Sequence, residues 1–142
     1  YRLNKMFDTY VSLGHTRTKF DEFNVSQGTV TTDLSGSQFA YAPHWTLSGG
    51  ANARFGGGFT GNVNASWRSA VFTDTGVNQA SSRVGARTIV NMRFGYETEH
   101  WGLFAYARNL FDEHYVQYRY NATDRAILGD PRVVGGELRL RW

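Results

Sequence analysis

The segment HWTLSGGANARF, residues 44–55, alternates between two kinds of side chain along almost its whole length. One set of alternate positions is apolar or small: Trp45, Leu47, Gly49, Ala51, Ala53 and Phe55. The other set is mainly polar: Thr46, Ser48, Gly50, Asn52 and Arg54. A period of two is typical of a β-strand, in which successive side chains point to opposite faces. The segment therefore predicts a strand with one apolar face and one polar face.

The same alternation recurs along the chain and predicts an all-β protein of six antiparallel strands. The predicted strands lie near residues 5–20, 44–56, 58–73, 86–98, 101–118 and 131–142. The strand at 101–118 carries apolar residues on both faces. We place Leu103, Ala105 and Ala107 on its apolar face, because Arg108 then joins the polar one. A bulge beyond Asn109 would reverse this assignment.

The predicted connections alternate in length. Residues 56–58 and 98–101 form tight turns, whereas 21–43, 74–85 and 119–130 are long and polar. Aromatic residues gather near the tight turns: Phe7, Phe55, Phe59, Tyr96, Trp101 and Trp142. Trp45 and Trp67 lie about ten residues away, roughly the length of a strand that crosses the apolar part of a bilayer. Short turns, long loops and two aromatic girdles are typical of the wall of an outer-membrane β-barrel.

Composition limits the other classes of protein. The 142 residues suit one domain, and the absence of cysteine excludes disulfides and thiolate metal sites. The net charge of +3 is spread along the chain without a basic block, which argues against a nucleic-acid surface. The mean hydropathy of −0.45 and the lack of a long apolar run exclude a transmembrane helix. A transmembrane strand exposes only alternate residues to lipid, so its mean hydropathy stays low.

A soluble β-sandwich is the alternative fold, because its strands also alternate. Glycine and alanine are frequent on the predicted apolar faces and would fill a sandwich core poorly. The opposite faces carry little of the lysine and glutamate that usually solubilise a surface. The pattern therefore favours a barrel wall over a sandwich.

Four short motifs follow one another in order along nearly the whole chain. They are AP at 42–43, ASWRSAVFTD at 65–74, NLFD at 109–112 with Tyr115, and GDPR at 129–132 before a last strand that ends on Trp142. In this order they resemble the C-terminal part of the TonB-dependent outer-membrane receptors. Phenylalanine is the more usual last residue in that family.

The resemblance implies that residues 1–142 form the C-terminal segment of a barrel of the 22-strand type, with six transmembrane strands. The plug domain and the segment that engages the TonB complex would lie outside this chain. The family imports a scarce, bulky solute, most often a ferric siderophore, without covalent chemistry or a cofactor. The implied location is the bacterial outer membrane, among lipid and lipopolysaccharide, with Trp142 as the terminal aromatic that the barrel assembly machinery reads. An oligomeric pore completed by several chains and a soluble sandwich that binds carbohydrate or protein are the alternatives.

Candidate ligand-binding residues lie on the polar faces and in the loops. Arg68 and Arg93 would line a lumen, where guanidinium groups suit the carboxylates or phosphates of an anionic cargo. The structural interpretation is that the arginines of these faces pair with plug carboxylates or with cross-strand acids. The acids available on the polar faces are Asp8, Glu97 and Glu137.

The loop candidates are Tyr118, Arg119, Tyr120 and Arg125, which combine aromatic planes with cations. They would suit a catecholate or another aromatic chelate, or else belong to the outer girdle and contact lipopolysaccharide. The four histidines are scattered without ligand spacing, so no metal site is predicted. FDEHY at 111–115 places neighbouring residues on opposite faces, so no catalytic group and no enzyme activity are predicted.

Overall fold

The computed structural model describes residues 1–2, 4–77, 79–120 and 125–142, and β-strands dominate this part of the chain. The strands are β1 (Phe7–His15), β2 (Asn24–Gln27), β3 (Val30–Asp33), β4 (Trp45–Arg54), β5 (Phe59–Arg68), β6 (Val71–Phe72), β7 (Arg83–Val84), β8 (Arg87–Glu97), β9 (Trp101–Arg108), β10 (Val116–Arg119), β11 (Ala126–Leu128) and β12 (Val133–Leu140). Short 3₁₀ turns occupy Gly56–Gly58 and Gln79–Ser82. Among the described residues, no helix is long and apolar enough to cross a membrane.

Six of these strands form one antiparallel sheet, in the order β1-β4-β5-β8-β9-β12. Each of the six predicted strands contributes one strand to this sheet. The register aligns the predicted apolar positions across it, with Val11 opposite Gly49, Gly49 opposite Ala65, and Ala65 opposite Val90. The prediction of an all-β, antiparallel architecture is confirmed.

The face assignment of the ambiguous strand is also confirmed. Leu103 lies opposite Tyr96, and Ala105 lies opposite Phe94, both of which belong to the apolar face. Phe104 therefore lies on the polar face beside Gly95, as the placement of Arg108 required.

The apolar face is not covered by a second layer within the described part of the chain. Val11 is 78% exposed and Leu138 is 65% exposed, although both are predicted members of that face. Aromatic rings form a row on this face beside the tight turns. The ring centroid of Phe59 lies 4.9 Å from that of Tyr96, which lies 5.5 Å from that of Trp101. A sheet of this kind exposes its hydrophobic surface instead of enclosing a core.

Both predicted tight turns are present. In the first, Gly58 has φ 93°, and a Cβ atom there would lie 2.5 Å from the backbone oxygen of Glu97, so only glycine fits. In the second, the N–H of Thr98 donates to the oxygen of Trp101 at 2.7 Å. The hydroxyl of Thr98 accepts from the N–H of Trp101 at 3.1 Å and completes the turn.

The long connections at the opposite end contain hairpins that the sequence did not predict. The pairs are β2 with β3, β6 with β7, and β10 with β11. Residues 121–124 of the last predicted loop lie outside the described part of the chain. These connections are polar, as predicted, but they carry regular backbone pairing of their own.

Three predicted strands extend beyond the ends that the structure shows. The strand at 101–118 stops at Arg108, because Asn109 and Asp112 have φ values of 49° and 54°, in the left-handed region. The strand at 58–73 stops at Arg68, and that at 5–20 stops at His15. At Asn109 the chain leaves the sheet through asparagine and aspartate, which adopt left-handed conformations more readily than most residues, and alternation alone does not reveal this.

Candidate functional site

Ion pairs link the arginines and the acids of the polar face near the tight turns. Arg54 Nη1 lies 2.6 Å from Asp8 Oδ2, and Arg93 Nη2 lies 3.0 Å from Glu137 Oε2. Arg139 reaches the same Glu137 at 2.8 Å. All three acids predicted on the polar faces have arginine partners, because Glu97 accepts from Arg141 and lies 3.7 Å from Arg139 Nη1. Arg93 is therefore paired with an acid on the same face, as the structural interpretation of the arginines expects. Its role in ligand binding stays a prediction.

A buried aromatic ring holds two of these arginines in place. Phe104 is only 3% exposed although it lies on the polar face. The guanidinium carbon of Arg93 lies 3.6 Å from its ring centroid, and that of Arg139 lies 5.3 Å away. The ring has room because a Cβ at Gly95 would lie 2.2 Å from one of its carbons. The glycine thus allows the ring to lie flat on the sheet, where it orders both cations.

A ladder of amide hydrogen bonds crosses the middle of the polar face. It joins the side chains of Asn52, Asn62, Asn64 and Asn91 and ends at the backbone of Asn109. The three Nδ2-to-Oδ1 distances between successive asparagine side chains are 2.7, 3.1 and 3.0 Å. At its far end Asn52 Nδ2 donates to Asp8 Oδ1 at 2.6 Å. Every bond donates toward that carboxylate, so the ladder is polarised in one direction.

Arg68 and Arg87 lie on the polar face at the other end, beside the long connections. They are directly opposite each other on β5 and β8. Among the described residues, neither has a carboxylate within ion-pair distance, in contrast to Arg93. The guanidinium of Arg87 stacks 4.2 Å above the ring of Tyr115. This end of the face consequently keeps an excess of positive charge.

Tyr118 and Tyr120 form an aromatic cluster with a third tyrosine, Tyr41. The rings of Tyr118 and Tyr120 lie 4.7 Å apart, and that of Tyr41 stacks 6.4 Å from Tyr118. Partial burial is the main reason that the pKa of Tyr41 lies above its ordinary value, with smaller contributions from Tyr118, Asp74 and Tyr120. Sequence reasoning missed Tyr41, because it precedes its partners by more than 70 positions. Its left-handed backbone, with φ 57°, was not visible in the alternation.

The two predicted loop arginines have a different setting. Arg119 lies between Tyr118 and Tyr120 on β10, so its side chain leaves the strand on the opposite side. Arg125 is exposed, and its backbone oxygen accepts from the N–H of Tyr120 at 3.1 Å. In the described residues, neither cation lies over a ring of the tyrosine cluster. The predicted group of four is therefore resolved into an aromatic pair and two separate cations.

Hydrogen bonds join the three long connections into one platform that carries the tyrosine cluster. Gln79 donates to the backbone oxygen of Gln38 at 2.7 Å and accepts from its N–H at 3.3 Å. The hydroxyl of Thr73 lies 3.0 Å from the oxygen of Ser82 and 2.9 Å from that of Arg119. Thr73 and Ser82 are buried. Within the part of the chain that the structure describes, no group of three His, Cys, Asp or Glu residues could hold a metal ion.

The family model for the TonB-dependent receptor-like β-barrel matches residues 1–110. The chain belongs to this family. It is thus a bacterial outer-membrane protein, and its family consists of transport receptors.

Solved structures of such receptors share the fold. The siderophore receptor PiuA from Acinetobacter baumannii has a TM-score of 0.77 at 13% identity, over 96% of this chain and 20% of that one. FpvA from P. aeruginosa, in an iron complex with a heterologous pyoverdine, scores 0.64 at 19% identity, over 92% and 17%. The ferric-catecholate import receptor Fiu from E. coli K12 scores 0.66 at 12% identity, over 96% and 19%. The chain spans about a fifth of the length of these receptors.

In this member of the TonB-dependent receptor family, residues of the NLFD and GDPR motifs contact each other. The amide of Asn109 donates to the backbone oxygens of Glu113 and Asp130, both at 3.0 Å. Asp112 Oδ1 accepts from the N–H of Arg132 at 2.8 Å. The family match ends at residue 110, so half of NLFD and all of GDPR lie beyond it. Their contacts supply a physical reason for the motifs, since they fix the entry to the last strand.

The C-terminal residue has few constraints in this structure. The last backbone hydrogen bond joins the N–H of Arg141 to the oxygen of His100 at 2.8 Å. Trp142 is fully exposed beyond the end of β12. Its role as a signal for the barrel assembly machinery stays a prediction.

Proposed function

We propose that this chain is the C-terminal part of the wall of a 22-stranded, TonB-driven outer-membrane transporter that imports a ferric siderophore. The observation that carries this proposal is the sheet itself, which presents an uncovered apolar face and a hydrogen-bonded polar face. Lipid is the environment in which an exposed hydrophobic face of this extent is stable. A soluble sandwich would need a second layer over the same face.

The length of the strands suits a membrane. β4 and β5 each contain ten residues. At about 3.3 Å per residue and a tilt of about 40°, such a strand covers about 25 Å along the membrane normal. That matches the apolar band of about 25 Å on outer-membrane barrels. The aromatic row at Phe59, Tyr96 and Trp101 would mark one interface, and Trp45 and Trp67 the other.

The six strands need further strands on both sides. Among the described strands, β1 and β12 are the two edges of the sheet and each pairs with one other strand, apart from a single bridge between Arg2 and Asp8. An unpaired edge in hydrocarbon costs several kcal/mol for each unsatisfied backbone group. The coverage of about a fifth of each related receptor supports completion by the rest of a longer chain. A plug and the TonB-engaging segment would belong to that remainder.

The cargo proposal rests on the platform at the long connections. Tyr118 and Tyr120, with Tyr41 beside them, offer aromatic faces to a ferric chelate, and Arg119 and Arg125 add positive charge nearby. Arg68 and Arg93 would meet an anionic cargo only inside the barrel. Of the three related structures, PiuA is a siderophore receptor, FpvA is in complex with a pyoverdine and iron, and Fiu is a ferric-catecholate import receptor. Lipid and lipopolysaccharide would contact the outer surface.

The test uses a bacterial strain in which the complete receptor is the sole route for a ferric tris-catecholate. We expect uptake of labelled iron that stops when TonB is deleted. In the purified receptor, Tyr118→Ala should raise the dissociation constant for the ferric tris-catecholate about two- to tenfold. This corresponds to roughly 0.5–1.5 kcal/mol for one aromatic contact. Tyr118→Phe is the matched control, because it keeps the ring.

Two outcomes would contradict the transporter proposal, and a third would contradict only the assignment of the cargo site. Solute flux that continues without TonB would indicate an open pore, completed by several chains if discrete oligomers appear in detergent. A water-soluble monomer of the isolated chain would indicate a sandwich. Equal affinity in Tyr118→Ala and in the wild type would separate the tyrosine cluster from cargo binding while leaving the transporter class intact.

A further inference from the structure

Two half-buried arginines oppose each other without a counter-charge. Arg68 on β5 and Arg87 on β8 are direct cross-strand partners on the polar face. Like charges at such positions destabilise a sheet. At the opposite end of the same face, Arg54 has Asp8 as its partner at 2.6 Å. The described residues place no equivalent acid beside Arg68 or Arg87.

The donors of this pair are poorly satisfied. The Nη1 atom of Arg87 is excluded from solvent and has no hydrogen-bond partner among the described residues. Arg68 Nη1 donates to the backbone oxygen of Ser69 at a long 3.3 Å. A buried donor without an acceptor costs about 1–3 kcal/mol, and more when it is charged. A negatively charged acceptor at this place would relieve the repulsion between the two arginines. It would also satisfy the unused donor.

Tyr115 orients one member of the pair, Arg87. The ring of Tyr115 supports the guanidinium of Arg87 at 4.2 Å. The ring in turn lies against Gly129, where a Cβ atom would be 1.9 Å from two ring carbons. The N–H of Gly129 also donates to the backbone oxygen of Tyr115 at 2.8 Å. Because the tyrosine is anchored in this way, Arg87 has a restricted orientation before any anion arrives.

We propose that Arg68, Arg87 and Tyr115 form a binding site for a carboxylate, bridged between the two guanidinium groups. Planar guanidinium forks suit a planar carboxylate, and one such group would remove the repulsion and accept from both arginines. The carboxylate comes from an acidic side chain elsewhere in the complete receptor or from an acidic solute. The inference rests on the proposed function only in taking the polar face as the inside of a barrel.

The first experiment measures access to the arginines in the complete, unmodified receptor. Phenylglyoxal reacts with free guanidinium groups, and mass spectrometry gives the rate at each arginine with citrate or with chloride at equal ionic strength. If a free carboxylate fills the site, citrate at ten times its dissociation constant slows the reaction of Arg68 and Arg87 roughly tenfold. Arg17, which is exposed, is the control and should react equally in both solutions.

The second experiment detects a carboxylate that the receptor itself supplies. Carbodiimide joins an amine to an acid that contacts it, so the Arg87→Lys variant should crosslink to one acidic peptide of the receptor. Arg54→Lys is the matched positive control, since its neighbour Asp8 is already within 2.6 Å of the arginine.

A crosslink supports an internal acid, and citrate protection supports an acidic solute. If the Arg54→Lys control crosslinks but the experiments show no crosslink at Arg87→Lys and no protection by citrate, the proposal is overturned. Both measurements are independent of transport, so a receptor that imports iron normally can still refute the site. Conversely, a receptor that fails to import a siderophore can still show the carboxylate site.

Discussion

Replacement of Asn109 should show how much the contact between the NLFD and GDPR motifs contributes to stability. Its side chain is 4% exposed and makes three hydrogen bonds, to the oxygens of Glu113 and Asp130 and from the N–H of Glu113. At about 1 kcal/mol each, their loss in Asn109→Gly should cost about 3 kcal/mol. Asn109→Ala should cost about 1–2 kcal/mol more, because the residue has φ 49° and alanine disfavours that region.

The isosteric variant Asn109→Asp removes the N–H donors of the side chain but keeps its shape. It keeps the acceptor for the N–H of Glu113 but turns a carboxylate oxygen toward two carbonyl oxygens. We therefore expect a loss at least as large as that of Asn109→Gly. Gln117→Ala is the control in the same connection, since Gln117 is exposed and an exposed substitution changes stability by about 0.5 kcal/mol or less.

The assay is urea unfolding of the complete receptor in lipid vesicles, with hydrogen exchange of residues 109–132 as a local measure. Faster exchange at Glu113 should accompany the loss of stability, since its N–H donates to Asn109. The reasoning is refuted if Asn109→Asp unfolds within about 0.5 kcal/mol of the wild type and its exchange is unchanged. Equal stability of Asn109→Ala and Asn109→Gly would refute only the expected cost of placing alanine in the left-handed region.

Two further predictions concern the sheet and a loop. Gly95→Ala should lower the free energy of unfolding by about 1–3 kcal/mol, since the new Cβ would lie 2.2 Å from Phe104. Gly61→Ala, with 3.6 Å to its nearest neighbour, should be close to neutral in the same urea titration. Bonds from Ser35 hold the pKa of Asp33 below its ordinary value, so Ser35→Ala should raise it in a carboxyl NMR titration. The contact between the Asp33 carboxylate and Ser35 stabilises the fold fully above the ordinary pKa of aspartate. This stabilisation is lost as the pH falls through the lowered pKa of Asp33.

Alternation was a sound guide to the strands and their faces, even for a sequence with apolar residues on both sides. The assignment of Leu103 and Ala105 depended on a single charged residue, Arg108, and the register confirms it. The resemblance carried by short ordered motifs also identified the correct family. These inferences worked because they used local sequence order, which the strand geometry preserves.

The candidate site was predicted in part. Arg93 was named as a ligand residue by its charge, which stays a prediction, and the structure adds its hydrogen bond to Glu137, 44 positions away. Tyr118 and Tyr120 were named, whereas their companion Tyr41 was not. The hairpins within the long connections were also missed, because strands as short as β6 and β7, with two residues each, are too short to show a period.

The sequence by itself determined which residues face each side of the sheet, because a pleated backbone turns successive side chains in opposite directions. Only the tertiary structure decided which polar residues meet. Arg87 opposes Arg68 but Arg54 meets Asp8, although all three arginines occupy polar positions at strand ends. The difference arises from strand order and register, which join residues that are distant in the chain and which no local pattern encodes.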